Sequence, residues 1–366
     1  MARNLVICCD GTNNSYGDEN TNVVKLFAML ERSGHQLVYY DPGVGTFGVP
    51  GTWSRWKRRW TELLGLAFGL GFEDNLFEAY RYLMDNYEAG DRIHLFGFSR
   101  GAFTVRALAA LVHFCGLLHK GSENLVPYAF RVLERKDFAH AQGFKELYSR
   151  DVRIHFIGVW DTVKSLRNAS PFKDDSYPYT SDNPSVDMVR HAISLDERRC
   201  FYRQNAWTGR APGQDVKEVW FPGVHCDVGG GYAERDSGLS KIALAWMVRE
   251  AADRPNGLLV DAAKRNGLLT ASVMGHIAAP DPKAMLHRSL HGIWWILEFI
   301  PKRRRQLVHM VDGTMKWEST WRIYHGRRRT VPPMPVVHQS VLDRMAADPH
   351  YRPPNMPAAG QFTVEP

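Results

Sequence analysis

The chain has 366 residues, enough for one large domain with insertions or for two domains. Hydrophobic residues make up 44% and charged residues 23%, which fits a globular chain and excludes a disordered or fibrous one. The net charge of +7 favours anionic partners such as phospholipid headgroups, nucleic acid or acidic substrates without choosing among them. Five scattered cysteines, none in C-x-x-C spacing, argue against a common zinc site and for reduced thiols.

In chain order, residues 4–9 form a short apolar run closed by Asp-Gly, which predicts a buried strand rather than a signal peptide. Residues 22–32 carry helical spacing through Val23, Leu26, Phe27 and Leu30, and 36–40 read as a second strand. Residues 43–72, rich in Gly and Trp, are expected to be an insertion with one or two short helices. A helix over 73–87, a strand over 92–96 and a helix over 102–114 follow. Further helices are predicted within 124–149. The pattern then gives strands over 152–159 and 216–221 and a helix over 239–252.

Strands alternating with helices predict an α/β fold, a mostly parallel sheet covered on both faces. After about residue 255 Pro and Arg become frequent and strand signals stop. Residues 1–255 are therefore read as the core, and 256–366 as a helical or irregular extension or cap packed on it. No apolar run approaches the roughly 20 residues that span a bilayer. The longest candidate, 293–300, is interrupted by Glu298.

Gly97-Phe98-Ser99-Arg100-Gly101 matches G-x-S-x-G, with a strand leading directly in and an Ala- and Leu-rich helix leading directly out. That setting is a nucleophile elbow, in which the turn is too tight for side chains beside the serine. It makes the predicted fold α/β-hydrolase-like. Such a serine needs a base, and the base needs a carboxylate to hold its tautomer. In this fold the chain order is Ser, Asp or Glu, His. Asp161 ends the 152–159 strand and His225 follows the 216–221 strand, so Ser99, Asp161 and His225 are the expected triad. All three fall at the edge where open α/β sheets bind ligands. His338 is the competing histidine, and Asp227 the substitute carboxylate. A plain helix cap remains the alternative for Asp161.

The oxyanion hole is expected to use the N–H of Arg100 and a donor from the loop after the first strand, Gly11 or Thr12. Asp10 would hold that loop through its own N–H groups, and Asp10 and Phe98 are the expected substrate-side residues. Neither metal nor cofactor is required by this chemistry. The Asp10-Gly11-Thr12 loop also resembles the start of haloacid-dehalogenase-type phosphatases, but Cys8 stands where their nucleophilic Asp would be.

Five features together carry a closer resemblance. They are Cys-Asp-Gly-Thr-Asn-Asn, Gly-Phe-Ser-Arg-Gly-Ala-Phe, Gly-Val-Trp-Asp-Thr-Val, Pro-Gly-Val-His-Cys-Asp-Val-Gly-Gly-Gly-Tyr, and the late Val-His-Gln-Ser-Val-Leu-Asp-Arg-Met with Tyr-Arg-Pro-Pro-Asn-Met-Pro. The chain, from about residue 3 to residue 357, resembles the α/β-hydrolase domain of type VI secretion phospholipase effectors. The resemblance implies a Ser-Asp-His triad on Ser99, Asp161 and His225, and ester hydrolysis on phospholipids.

The expected function is hydrolysis of carboxylic esters of lipids or phospholipids. A soluble esterase or thioesterase, and a non-catalytic hydrolase-like binding protein, remain as alternatives. The expected partners are the ester or phospholipid substrate and a peripheral membrane contact, with no nucleic acid. The aromatic run 293–300 beside Lys302-Arg303-Arg304-Arg305 suits a membrane interface, Arg327-Arg328-Arg329 adds to the patch, and a buried helix with a solvated charge run is the competing reading. The expected location is cytoplasmic, or outside the cell through a dedicated secretion system. Oligomeric state is not legible in the sequence.

Overall fold

The computed structural model describes residues 2–11, 17–43, 71–163, 177–270, 277–309 and 315–366. The insertion expected over 43–72 lies almost wholly outside the described residues, apart from Gly43 and the start of the helix Phe72–Asn86. In chain order the strands are β1 (Asn4–Cys9), β2 (Gln36–Asp41), β3 (Arg92–Phe98), β4 (Leu117–Leu118), β5 (Ser149–Arg150) and β6 (Ile154–Trp160). They continue as β7 (Val186–Ser194), β8 (Asp215–Phe221), β9 (Lys302–His309), β10 (Met315–Arg322), β11 (Val336–His338) and β12 (Thr363–Glu365).

Among the described residues the main sheet has eight strands in the order β12-β11-β8-β7-β6-β3-β1-β2, and every pairing in it is parallel. The chain steps outward from β1 to β2, crosses back to β3, and then runs outward the other way. The order therefore reverses between β1 and β3, and sheets of this kind hold ligands at the carboxyl ends of the strands at such a switch point.

Both faces are buried because side chains alternate along the strands. Leu5, Ile7 and Cys9 of β1 join one core with the helices Phe72–Asn86, Arg100–Cys115, Val126–Arg135 and Phe138–Tyr148. Val6 and Cys8 join the other with the helices Asn22–Met29 and Gly238–Ala252. The helix Arg100–Cys115 is buried on every side but His113, as its mixture of small and apolar residues requires.

Two features differ from the sequence expectation. β7, Val-Asp-Met-Val-Arg-His-Ala-Ile-Ser, lies between β6 and β8 although its charges hide it. Arg190 is buried there on Asp215 (2.5 Å) and Glu250, and His191 Nδ1 lies 2.8 Å from Glu218. The segment after residue 255 also carries strands. β9 and β10 form an antiparallel hairpin, while β11 and β12 extend the main sheet beyond β8, so the sheet runs through the boundary placed near 255.

One glycine governs how closely helix and sheet approach. A Cβ on Gly101 would lie 2.1 Å from the carbonyl oxygen of Cys9. Gly101→Ala is expected to destabilise the chain by about 1–3 kcal/mol in urea unfolding. Gly143, in the helix Phe138–Tyr148, has no such neighbour within 4 Å. Gly143→Ala is expected to stabilise by about 0.5–1 kcal/mol in the same measurement.

Candidate active site

β3 ends at Phe98 and the helix begins at Arg100, so the whole turn is carried by Ser99. Its backbone sits at φ 57° and ψ −117°, a conformation that non-glycine residues avoid. Both flanking glycines are required sterically, because a Cβ on Gly97 would lie 2.5 Å from the oxygen of Gly101. Strain of this kind persists only where the surroundings fix it. The Ser99 N–H donates to Trp160 O (3.1 Å), while Ser99 O accepts from Val163 N–H (3.3 Å) and Phe103 N–H (3.4 Å). Arg100 opens the helix, so its N–H belongs to the first turn, where N–H groups favour negative charge. Its side chain is buried, and burial brings the guanidinium down to about 10.

Asp161 follows β6 at φ 42°, and its carboxylate is fully enclosed. Oδ2 lies 2.6 Å from His225 Nδ1 and accepts from the Arg329 guanidinium (3.0 Å). Oδ1 accepts from Arg329 (2.5 Å), from the Ser194 N–H (2.9 Å) and from the Ser194 hydroxyl (3.0 Å). Burial alone would raise the Asp161 carboxyl, but Arg329 and His225 outweigh it and hold it well below the usual carboxylate range. Being ionised, it is an acceptor only, so His225 Nδ1 carries the proton and donates. Burial also pushes the imidazole toward its neutral form, with Asp161 opposing in part. The neutral ring then holds its lone pair on Nε2.

His225 is held from three sides. Its ring packs against Phe98 (centroids 4.6 Å apart) and edge-on against Tyr202 (4.7 Å). Its backbone N–H donates to Glu197 Oε2 (3.1 Å). Glu197 is buried with Arg199 (2.9 Å), which outweighs the burial and brings the carboxyl down to about 2. The elbow and this pair meet at one edge of the sheet: Phe98 precedes Ser99 and touches His225, while Trp160, which accepts from Ser99, precedes Asp161.

The other expected residues are placed as follows. Asp10 is buried and accepts from Gly11 N–H (2.7 Å), the Thr21 hydroxyl (2.6 Å) and the Tyr40 hydroxyl (3.1 Å). It ties the start of the loop after β1 to Thr21 and to β2. The Gly11 N–H, expected in the oxyanion hole, is the one given to Asp10, and Thr12 lies outside the described residues. Phe98 is a buried wall behind His225, with Gly229 so close that a Cβ there would lie 1.9 Å from its ring. His338 stacks on Phe221 (4.5 Å) and accepts from Ser340 N–H, capping the helix Gln339–Ala347. Asp227 pairs instead with His287 Nδ1 (2.6 Å), whose ring stacks on Tyr232 (3.6 Å).

Arg329, Glu197, Arg199 and Tyr202 escaped the sequence reading. Arg329 looked like part of a basic surface run, but it is buried, and Arg328 pairs with Asp196, leaving Arg327 alone of the three exposed. The aromatic run 293–300 is a short helix, Ile293–Glu298, that is neither wholly buried nor wholly exposed. Glu298 is buried and accepts from Cys200 N–H (2.6 Å) and Gly326 N–H (3.0 Å). Trp294 lies edge-on to Tyr202 (5.5 Å), whereas Trp295, Ile296 and Phe299 are exposed. Among the described residues no His, Cys, Asp and Glu side chains converge in threes as metal ligands, and no helix is long and apolar enough to cross a membrane.

The uncharacterized protein YEL023C of Saccharomyces cerevisiae is 25% identical, over 97% of this chain and 80% of that protein. A crystal structure of an uncharacterized protein from Pseudomonas aeruginosa is 19% identical, with a TM-score of 0.41, over 68% of this chain and 46% of that one. The structure of the Tle1 effector bound to the VgrG spike of the type VI secretion system is also 19% identical, with a TM-score of 0.37, over 65% and 53% of the two chains. The chain thus spans about half the length of these solved structures. A family model for the catalytic domain of type VI secretion, Tle1-like phospholipase effectors matches residues 3–250. With two thirds of its length matched, the chain belongs to the Tle1-like phospholipase effector family.

Proposed function

We propose that the chain is a serine hydrolase that cleaves acyl esters of phospholipids through Ser99, His225 and Asp161. The observation that carries this reading is the buried Asp161–His225 contact of 2.6 Å beside the strained serine of a strand–helix turn. His225 Nε2 takes the proton of Ser99 Oγ as that oxygen attacks the acyl carbonyl carbon. The oxyanion is stabilised by the Arg100 N–H together with a second donor from the loop after β1, in which the Gly11 N–H is engaged by Asp10. The tetrahedral intermediate collapses, the ester bond breaks, and the leaving alkoxide takes the proton from His225. Water, deprotonated by His225, then attacks the acyl-enzyme. The fatty acid leaves and Ser99 regains its proton.

Lipid as the acyl source is supported by the family and by an apolar ridge beside the site. Ile296 (66% exposed) and Phe299 (55% exposed) project to solvent from the short helix whose Trp294 touches Tyr202, which in turn touches His225. Arg322 and Arg327 are exposed on the segment whose Tyr324 N–H donates to Glu298 O of that helix, which suits an anionic lipid surface. Apolar side chains ringed by cations bind at the headgroup boundary.

Three outcomes are expected. Ser99→Ala lowers turnover of a soluble p-nitrophenyl ester and of phospholipid vesicles by at least ~10³-fold while the variant remains folded; turnover near that of the unmodified chain would remove Ser99 from the chemistry. The base must be neutral, and burial lowers the His225 pKa from 6.5, so the acid limb of the kcat/KM profile falls below pH 6.5. Replacing Ile296 and Phe299 by Asp lowers vesicle hydrolysis at least about tenfold, because each inserted side chain contributes roughly 1.5–3 kcal/mol. Soluble-ester turnover stays unchanged. Equal losses on both substrates would point to a small-ester enzyme with no lipid interface.

A further inference from the structure

Arg329 reaches the site from a segment beyond residues 3–250, the span matched by the family model. Its guanidinium lies along the Asp161 carboxylate in a two-bonded fork, one N–H to Oδ1 at 2.5 Å and one to Oδ2 at 3.0 Å. This is the strongest geometry available to such a pair. Oδ2 is also the oxygen that holds His225, so histidine and arginine share one acceptor. The remaining donors of the same guanidinium go to the Tyr202 carbonyl (2.9 Å from Nε) and the Ser194 hydroxyl (2.9 Å). Tyr202 is the ring that packs on His225, and Ser194 is the other donor to Asp161. The backbone of Arg329 is itself anchored, its carbonyl accepting from the Asn355 side-chain amide (3.2 Å), which also donates to Leu195 O (2.9 Å).

We infer that Arg329 is a positioning residue: it fixes the Asp161 carboxylate against His225, holds the Tyr202 loop over the ring, and draws part of the carboxylate's charge to itself. The inference rests on the triad proposed above. In a Ser-His-Asp arrangement the carboxylate orients the imidazole and stabilises its charged form. A guanidinium on the same carboxylate preserves the orientation but weakens that stabilisation, leaving His225 a weaker base that stays neutral at lower pH. The charged and titratable groups that face His225 are Asp161 and Arg329 on one side, Glu197 and Arg199 at its backbone, Tyr202 over its ring and Cys226 next in the chain. Glu197 and Arg199 largely cancel as an ion pair, and burial keeps the Tyr202 hydroxyl and the Cys226 thiol neutral. Arg199 bears on His225 with Glu197 opposing it, whereas Arg329 is the cation bonded to the Asp161 carboxylate.

The test uses the full chain with Arg329→Met and Arg329→Lys, and Ser99→Ala and His225→Ala beside them. The readouts are kcat, KM and the pH profile on a soluble p-nitrophenyl ester, with a thermal melt of each variant. Arg329→Met is expected to lower kcat roughly 10- to 100-fold, the cost of a misplaced base, with KM nearly unchanged. The acid limb should move up by about one pH unit, because the Asp161 charge is then undivided. Arg329→Lys restores a cation without the fork and should recover part of kcat and return the limb part of the way. A folded Arg329→Met chain with an unmoved limb overturns the inference, whatever happens to kcat, because a purely structural role does not shift it. If Arg329→Met fails to fold, Arg329→Lys carries the test: a limb identical to that of the unmodified chain, with the same kcat, overturns it equally. Retained activity in Ser99→Ala and His225→Ala would instead bring down the triad, and the role of Arg329 with it.

Discussion

Everything at this site depends on a helix being brought down onto the carboxyl end of β1 until only a hydrogen atom fits between them. The Cα of Gly101 faces the carbonyl oxygens of Cys9 and Asp10 so closely that no methyl group could be placed there. A helix held that near the sheet leaves a single residue to turn the chain from β3 into its first turn. That residue is Ser99, and it takes up the strain. The same approach puts the amino end of the Arg100–Cys115 helix at the switch point between β1 and β3, where negative charge is welcome.

Around this turn the protein buries charge rather than avoiding it. Asp161, Glu197 and Arg329 are buried and Arg199 is partly so, and each carboxylate has a guanidinium against it. Burying an isolated ion would be prohibitive, and breaking one partner from such a pair is far more disruptive than omitting both. The arrangement therefore fixes geometry more than it adds stability. Each ion pair also reaches His225, one through its ring nitrogen and one through its backbone N–H.

Much of this was legible in the sequence, and what was not has a physical reason. β1, β3, β6 and β8 announce themselves as apolar runs, and the residues that follow them, Asp10, Ser99, Asp161 and the His225 turn, converge because parallel strands deliver their carboxyl ends to one edge. β7 stayed hidden because Arg190 and His191 read as solvated until Glu250, Asp215 and Glu218 are brought in from other elements. Arg329 was misread for the same reason: a run of three arginines looks like surface, and nothing local reveals that the third turns inward to Asp161. His338 offered a histidine after a strand as His225 does, yet its ring nitrogen is spent on the helix that follows. Periodicity locates strand ends; it is blind to pairings between distant charges.

Those pairings also set an order of events. A chain leaving the ribosome presents β1, the elbow and Asp161 long before Arg329 emerges. The early strands and helices can pack, since most of their core contacts are among themselves. The carboxylate that orients the histidine, however, waits for an arginine 168 positions further on. Sequence separation of that size makes closure slow. The hydrolase-like framework can thus be largely built while its charge constellation is still incomplete, and the docking of the Arg329 segment is the step that finishes it.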